Sequence, residues 1–283
     1  MSKNEPFAPW QCPLCGEKLT GDSTLKCTKG HCFDRAKEGY WHLLPVQSMR
    51  TKAPGDSKEM VAARRAFLNA GYYGIFGEAV GELCAEYGQP AGPEAALHLL
   101  DAGCGEGYYT AGIYQALMSQ GRHPRMAGTD ISKFSLRIAA KREHSIEFAV
   151  ASSYHLPLAD QSVDALLNCF SPLALEEFHR LLRPGGSFLY VVPGANHLWE
   201  LKQVLYDHPY PNEERETPYD GFTYQTIVPV DGVITLERQS DIHALFQMTP
   251  YYWKTPKAGA ERLAALEHLT TQISFRIHIF QKR

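Results

Sequence analysis

The chain has 283 residues, 44% hydrophobic and 21% charged, with 28 Lys and Arg against 31 Asp and Glu for a formal net charge of −3. This length and balance fit a globular protein with one domain of roughly 200 residues and a smaller one, and they argue against wholesale disorder. No apolar run approaches the roughly 18 residues that span a bilayer, and the opening MSKNEPFAPW lacks the apolar core of a secretory leader, so the expected location is cytoplasmic, with no membrane partner.

Charge is unevenly spread. Residues 1–70 hold 11 Lys and Arg against 7 Asp and Glu, a balance of +4 that leaves −7 for the rest. A basic front permits a polyanion at one end, and a plain solvated surface explains such small counts equally well.

Four of the seven cysteines fall within residues 12–32, and Cys84, Cys104 and Cys169 are scattered. In a reducing compartment that pattern favours metal over disulfides. Cys12-Pro-Leu-Cys15 puts two thiolates on one tight turn, and Cys27-Thr-Lys-Gly-His31, followed by Cys32, offers the second half of a site. Zinc takes four N or S ligands in a tetrahedron, and four protein ligands leave no position for water, so a structural zinc is expected. On chemistry alone either His31 or Cys32 closes the site. Buried free thiols are the plainer alternative and fit the spacing poorly. The fixed surface would carry Lys18, Lys26, Lys29, Arg35 and Lys37, a set suited to phosphate contact.

SMRTKAPGDSKEM reads as a linker turning at Pro54-Gly55, with Asp56 placed to cap a helix over SKEMVAARRAFLNAG that stops at Gly71. A second helix is expected from Gly74 to Tyr87. From residue 95 apolar strands alternate with helices: ALHLLDA, RMAGTD, IEFAVA, VDALLNCF and GSFLYVV as strands, and Tyr108–Ser119, Lys133–Arg142 and Leu173–Leu182 as helices. This alternation implies an α/β fold, an open and largely parallel sheet with helices on both faces. Beyond His197 a helix, an irregular Pro-rich stretch and a β-rich tail ending in ISFRIHIF are expected. The chain then divides into a zinc-binding part (1–45), a linker with helices (46–90) and the sheet domain (91–283).

In such sheets ligands bind beyond the carboxyl ends of the strands. LLDAGCGEGYYT fits that place: a strand leads to Asp101, and Gly103, Gly105 and Gly107 form a loop that opens a helix. Asp130 ends the next strand, where a carboxylate can accept from a ribose diol. A dinucleotide site would use the helix start for a pyrophosphate, which Glu106 would repel.

The D-x-G-x-G-x-G spacing with Asp130 resembles motif I and its acidic partner in class I S-adenosylmethionine-dependent methyltransferases. VASSYHLPLAD resembles the segment flanking adenine there, VDALLNCFSP the strand whose end faces the methyl acceptor, and LLRPGGSFLYV the last helix, turn and strand of the core. Read with CPLC…C…H.FD.AKEGY…LLPVQ, PGDSKEM..ARRAFLNAGYY and PGANHLWELK, nearly the whole chain is similar to the 23S ribosomal RNA (guanine-N1)-methyltransferases that carry an N-terminal zinc ribbon.

That resemblance implies a class I Rossmann-like methyltransferase domain with a small zinc ribbon. It implies zinc ligands Cys12, Cys15, Cys27 and His31, and contact with S-adenosylmethionine by Tyr73, Gly105, Glu106 and His197. The class adds Asp101, Asp130, Ser152 and the loop glycines Gly103 and Gly107. Around Ser171-Pro172 the chain departs from the family's surroundings. The plainer readings are that Tyr73 packs its helix on the sheet, that His197 caps a helix, and that Trp10, Trp41, Trp199 and Trp253 are core or hinge residues. ALFQMTPYYW would line an RNA pocket or form a buried edge.

The implied reaction is methyl transfer to N1 of a guanine in a hairpin of large-subunit ribosomal RNA, with the base unpaired or flipped because N1 lies on its pairing edge. The N1 proton needs an acceptor, which the residues do not identify. A ribbon gripping RNA would leave cofactor binding intact when Cys12 or Cys15 is replaced by Ser. A two-fold dimer would suit a hairpin too large for one cleft. Rival readings are another RNA or a protein as acceptor, and a non-catalytic RNA-binding assembly factor with a relic cofactor pocket.

Overall fold

The computed structural model describes residues 10–49, 51, 54–92 and 95–283. Residues 1–9 of the expected zinc-binding part and Arg50, Lys52 and Ala53 of the expected linker lie outside the described residues.

The N-terminal part pairs two short antiparallel strands, β1 (Thr24–Lys26) and β2 (Cys32–Asp34). The next strand, β3 (Trp41–His42), pairs in parallel with Ala149–Val150 of the main sheet. Two helices follow, α1 (Lys58–Asn69) and α2 (Gly74–Tyr87). The cap of α1 is Ser57, whose side chain accepts from Met60 N–H, and not Asp56. Asp56 instead pairs with Arg64, about two helical turns further along.

The core alternates as expected: β4 (His98–Ala102), α3 (Tyr108–Ser119), β5 (Arg125–Asp130), α4 (Lys133–Arg142), β6 (Glu147–Val150), β7 (Val163–Cys169), α5 (Leu175–Leu181), β8 (Leu182–Pro193) and α6 (Trp199–Leu205). The tail runs β9 (Phe222–Leu236), α7 (Gln239–Gln247), α8 (Tyr251–Lys254), α9 (Lys257–Ala264) and β10 (Leu269–Lys282). The β-rich tail is therefore two long strands with three helices between them. The first of these buries Ile242, Ala244, Leu245 and Phe246.

The eight strands lie in the order β3-β6-β5-β4-β7-β8-β10-β9, parallel from β3 to β8 and antiparallel beyond. β4 and β7 are buried almost throughout because both faces of a parallel sheet are covered. Edge strand β9 alternates between half-buried and exposed residues over much of its length. Chain order reverses between β4 and β7, which opens a crevice at their carboxyl ends.

One face of the sheet carries Phe67, Phe76, Ile113, Leu136, Leu201 and Leu245 from the helices. The other is covered by Phe178 of α5 and by Trp10, Leu19, Leu25, Trp41 and Leu43 from the N-terminal part, packed with Leu100, Ala127, Ala149 and Leu166. Trp10 Nε1 donates to Glu147 Oε2 at 2.5 Å, tying that part to β6.

Candidate functional site

The four sequence-predicted metal ligands converge. A sulfur of Cys12, Cys15 and Cys27 and a ring nitrogen of His31 all lie within 4.8 Å of one another. Cys12 Sγ and Cys27 Sγ are each 3.4 Å from His31 Nδ1, and Cys15 Sγ is 3.8 Å from Cys27 Sγ. A tetrahedron with zinc–sulfur bonds of about 2.3 Å has edges of about 3.8 Å. The donors therefore fit one zinc ion without backbone movement, and the ribbon's zinc is structural. Cys32 is exposed and turns its thiol to Gly30 O at 3.4 Å, outside the cluster.

Beyond the ends of β4 and β5 lies a cavity of about 370 Å³ whose walls include Asp101, Gly103, Gly105, Glu106, Asp130 and Ser152. A Cβ on Gly103, at φ +88°, would fall 2.1 Å from Ser171 Oγ, so only glycine fits there. Gly105 N–H donates to Asp130 Oδ2 at 3.0 Å, and Ser132 N–H to Asp130 Oδ1 at 2.7 Å. Each carboxylate oxygen keeps a second lone pair for a hydroxyl. Burial raises the Asp130 acid against those two N–H groups.

Asp101 is buried, with Thr110 Oγ1 donating to its Oδ2 at 2.6 Å and Oδ1 without a partner. Burial pushes its acid up to about 7, opposed by Thr110 and reinforced by Asp130. An orphaned carboxylate oxygen on a cavity wall favours a cationic ligand group such as an ammonium. With Asp130 placed for a diol, the residues present fit S-adenosylmethionine. Glu106 is 1% exposed and its carboxylate is tied to Arg142 of α4, while burial raises its acid. Gly107 lies behind the cavity wall: it starts α3 at φ +79°, and a Cβ there would sit 2.9 Å from Ala139 Cβ of α4.

Tyr73 and His197 meet in an adjoining chamber of about 640 Å³, which shares Asp56, Arg64, Leu68, Tyr109 and Phe170 with the first. Ser274 N–H donates to His197 Nδ1 at 3.1 Å, so the ring proton sits on Nε2, 3.4 Å from the Tyr73 hydroxyl. Burial lowers His197 to about 4 and pushes the Tyr73 hydroxyl far above its ordinary range. Phe170 is a non-glycine residue at φ +52°, 49% exposed on the shared wall. Asn168 Nδ2 shapes the turn around it by donating to Ala102 O, Ser171 Oγ and Pro172 O at 3.2, 3.2 and 3.3 Å. Sequence reasoning missed Asn168, although an amide inside the apolar strand VDALLNC was a signal for it. It also missed Arg64 and assigned Asp56 only a capping role.

The reversed strand order, the glycine loop and the aspartates Asp101 and Asp130 at the ends of adjacent strands define an S-adenosylmethionine-dependent methyltransferase domain joined to a zinc ribbon. Residues 99–186 match the methyltransferase domain family, and residues 10–52 match the N-terminal zinc ribbon of RlmA. The solved YcgJ protein of Bacillus subtilis shares the fold, with a TM-score of 0.50 at 15% identity over 73% of this chain and 98% of that one.

Among curated relatives, the chain is 31% identical over its full length, and that of its relative, to YxjB of Bacillus subtilis, whose name assigns it provisionally as a 23S rRNA (guanine-N(1)-)-methyltransferase. It is 36% identical to the 23S rRNA (guanine(748)-N(1))-methyltransferase of Streptomyces fradiae, over 69% of this chain and 67% of that one. The chain belongs to the 23S rRNA (guanine-N1)-methyltransferase family.

Proposed function

We propose that the protein methylates N1 of a guanine in 23S ribosomal RNA, with S-adenosylmethionine in the smaller chamber and the guanine in the larger. The observation that carries this is the wall the two chambers share at the carboxyl ends of β4 and β7. It brings a site for a cation and a diol against one lined by Tyr73, Phe170, Tyr251 and Trp253.

Bound S-adenosylmethionine supplies an electrophilic methyl group on a sulfonium. The chain's own contribution is alignment. Asp101 and Asp130 fix one reactant, and the Asn168 turn fixes Phe170 beside the other, which removes much of the entropic barrier of an in-line displacement. Of the nine cofactor residues read from sequence, Tyr73 and His197 would close the cofactor's far side from the adjoining chamber, and Gly107 would act by holding α3 in place.

A groove of about 1020 Å³ runs from Cys12–Gly16 past Leu44 to Ser152 and Tyr154 and supports an RNA path between ribbon and cofactor chamber. Lys18, Lys26, Lys29, Arg35 and Lys37 are all exposed on the ribbon, as phosphate contacts require. In this reading the target lies unpaired in a hairpin, a two-fold dimer would serve a hairpin too large for one cleft, and the ribosomal substrate places the reaction in the cytoplasm. Residues 1–45 would grip RNA, 46–90 would link, and 91–283 would catalyse. Among the described residues no helix is long and apolar enough to cross a membrane.

Primer extension on undermethylated 23S RNA tests the reading, because a methyl on N1 blocks pairing. A new cofactor-dependent stop at a guanine supports it; extension unchanged by active-site-competent protein refutes it.

A further inference from the structure

The proposed reaction frees a proton from guanine N1, and the acceptor chamber needs a group to receive it. His197 is excluded by its bonding: Nδ1 accepts from Ser274 N–H and Nε2 faces the Tyr73 hydroxyl. The tyrosines hold their own protons. Burial raises Tyr73 and Tyr109 beyond their ordinary range and Tyr251 to about 12. Among the described residues lining this chamber, the one carboxylate is Asp56, and it stands on the wall shared with the cofactor chamber.

The backbone at Asp56 is clamped. Gly55, at φ +81°, lies so close to Ile131 and Ser132 that a Cβ would come within 2.8 Å of Ile131, and Ser132 Oγ donates to Asp56 O at 2.9 Å. Ser57 performs the capping of α1, so the Asp56 side chain is not spent on the helix start and lies on the chamber wall beside Arg64. Its Oδ2 pairs with Arg64, and the two side chains are 30% and 25% exposed, so a proton taken up there can pass to water.

We propose that Asp56 reads the pairing edge of the guanine and receives its N1 proton. This rests on the reading of the larger chamber as the acceptor site. A carboxylate accepts in parallel from N1–H and the N2 amino group of guanine, and it repels adenine, whose N1 is an acceptor. In the step, the N1–H bond breaks and the proton goes to the carboxylate. N1 bonds to the methyl carbon, and the carbon–sulfur pair stays on sulfur, leaving a neutral thioether. Arg64 of α1 pairs with Asp56, and Asp130 at the end of β5 interacts with it; the walls of the two chambers also carry Asp101, Glu106, Tyr73, Tyr109, His197 and Tyr251.

The test is single-turnover methylation of 23S RNA by full-length wild type, Asp56→Asn and Asp56→Glu, with calorimetric binding of S-adenosylhomocysteine alongside. General-base removal typically costs about 10²–10⁴-fold. Asp56→Asn should bind S-adenosylhomocysteine within threefold of wild type, lose at least about 100-fold in rate at pH 7, and recover about tenfold per pH unit as solvent ionises N1. Asp56→Glu should keep the flatter pH profile of wild type even if slower. Asp56→Asn retaining more than about a fifth of the rate, or Asp56→Glu showing the same steep pH recovery as Asn, would overturn the assignment. Wild type that forms no 1-methylguanosine would instead overturn the functional reading beneath it.

Discussion

Removing zinc should unsettle the methyltransferase sheet as well as the ribbon. Trp10, Leu19, Leu25, Trp41 and Leu43 are each at most 3% exposed and cover a face of the sheet that contains Leu100, Ala127 and Ala149. At about 1.5–3 kcal/mol per fully buried side chain, their contacts amount to something on the order of 10 kcal/mol, comparable with the whole stability of a typical domain. Even a partial loss of about 4 kcal/mol lowers Tm by about 8–16 °C in a protein of this size class. Thermal melts of Cys12→Ser, of chelator-treated wild type and of Cys32→Ser measure it. The first two should fall together, with weakened S-adenosylhomocysteine binding, and the third should match wild type because Cys32 lies outside the ligand set. A Cys12→Ser protein with unchanged Tm and cofactor affinity would refute the shared core. It would restore the expectation from sequence that the ribbon can fail alone.

Four single positions give further outcomes. Burial pushes the Asp101 acid up to about 7 in the fold, from an ordinary value of 3.8. A raised folded value means the unfolded chain ionises first, so its stabilising effect is present below about pH 4 and lost as pH rises through about 7. Tm measured without cofactor should fall across that window in wild type relative to Asp101→Asn. Gly107→Ala places a Cβ 2.9 Å from Ala139 Cβ at φ +79°, and the sum of about 1–2 kcal/mol for the left-handed backbone and about 1–3 for overpacking should appear in denaturant unfolding. Gly105→Ala, whose Cβ would meet nothing within 4 Å, should cost less stability and more cofactor affinity. Phe170→Ala should lower kcat/KM for RNA by about 5- to 150-fold, the usual worth of one base–aromatic stack, while S-adenosylhomocysteine binding changes little.

The core of the fold was legible because its signals are local. Tyr108–Ser119 and Gly74–Tyr87 begin and end where the structure has them, and the near-continuous apolar run of VDALLNC marks a strand buried on both faces. The metal ligands were readable for the same reason: two pairs on two turns. Trp41–His42 was not, since two residues carry no periodicity and their pairing with β6 spans more than a hundred positions. The helices over 239–264 were hidden because aromatic residues near Tyr251 read equally well as strand. The larger chamber draws its walls from six separated stretches, around Asp56, Tyr109, Phe170, His197, Asn212 and Tyr251, and only the tertiary fold brings these together. Asp56 shows the limit most clearly: next to a helix start, an aspartate looks like a cap until the neighbouring serine is seen to do that work.

The most direct measurement is mass spectrometry of nucleosides from undermethylated 23S RNA incubated with zinc-loaded protein and S-adenosylmethionine carrying a labelled methyl group. The account predicts label in 1-methylguanosine, approaching one per RNA. Label in any other nucleoside, or none from protein that binds both zinc and S-adenosylhomocysteine, would contradict it.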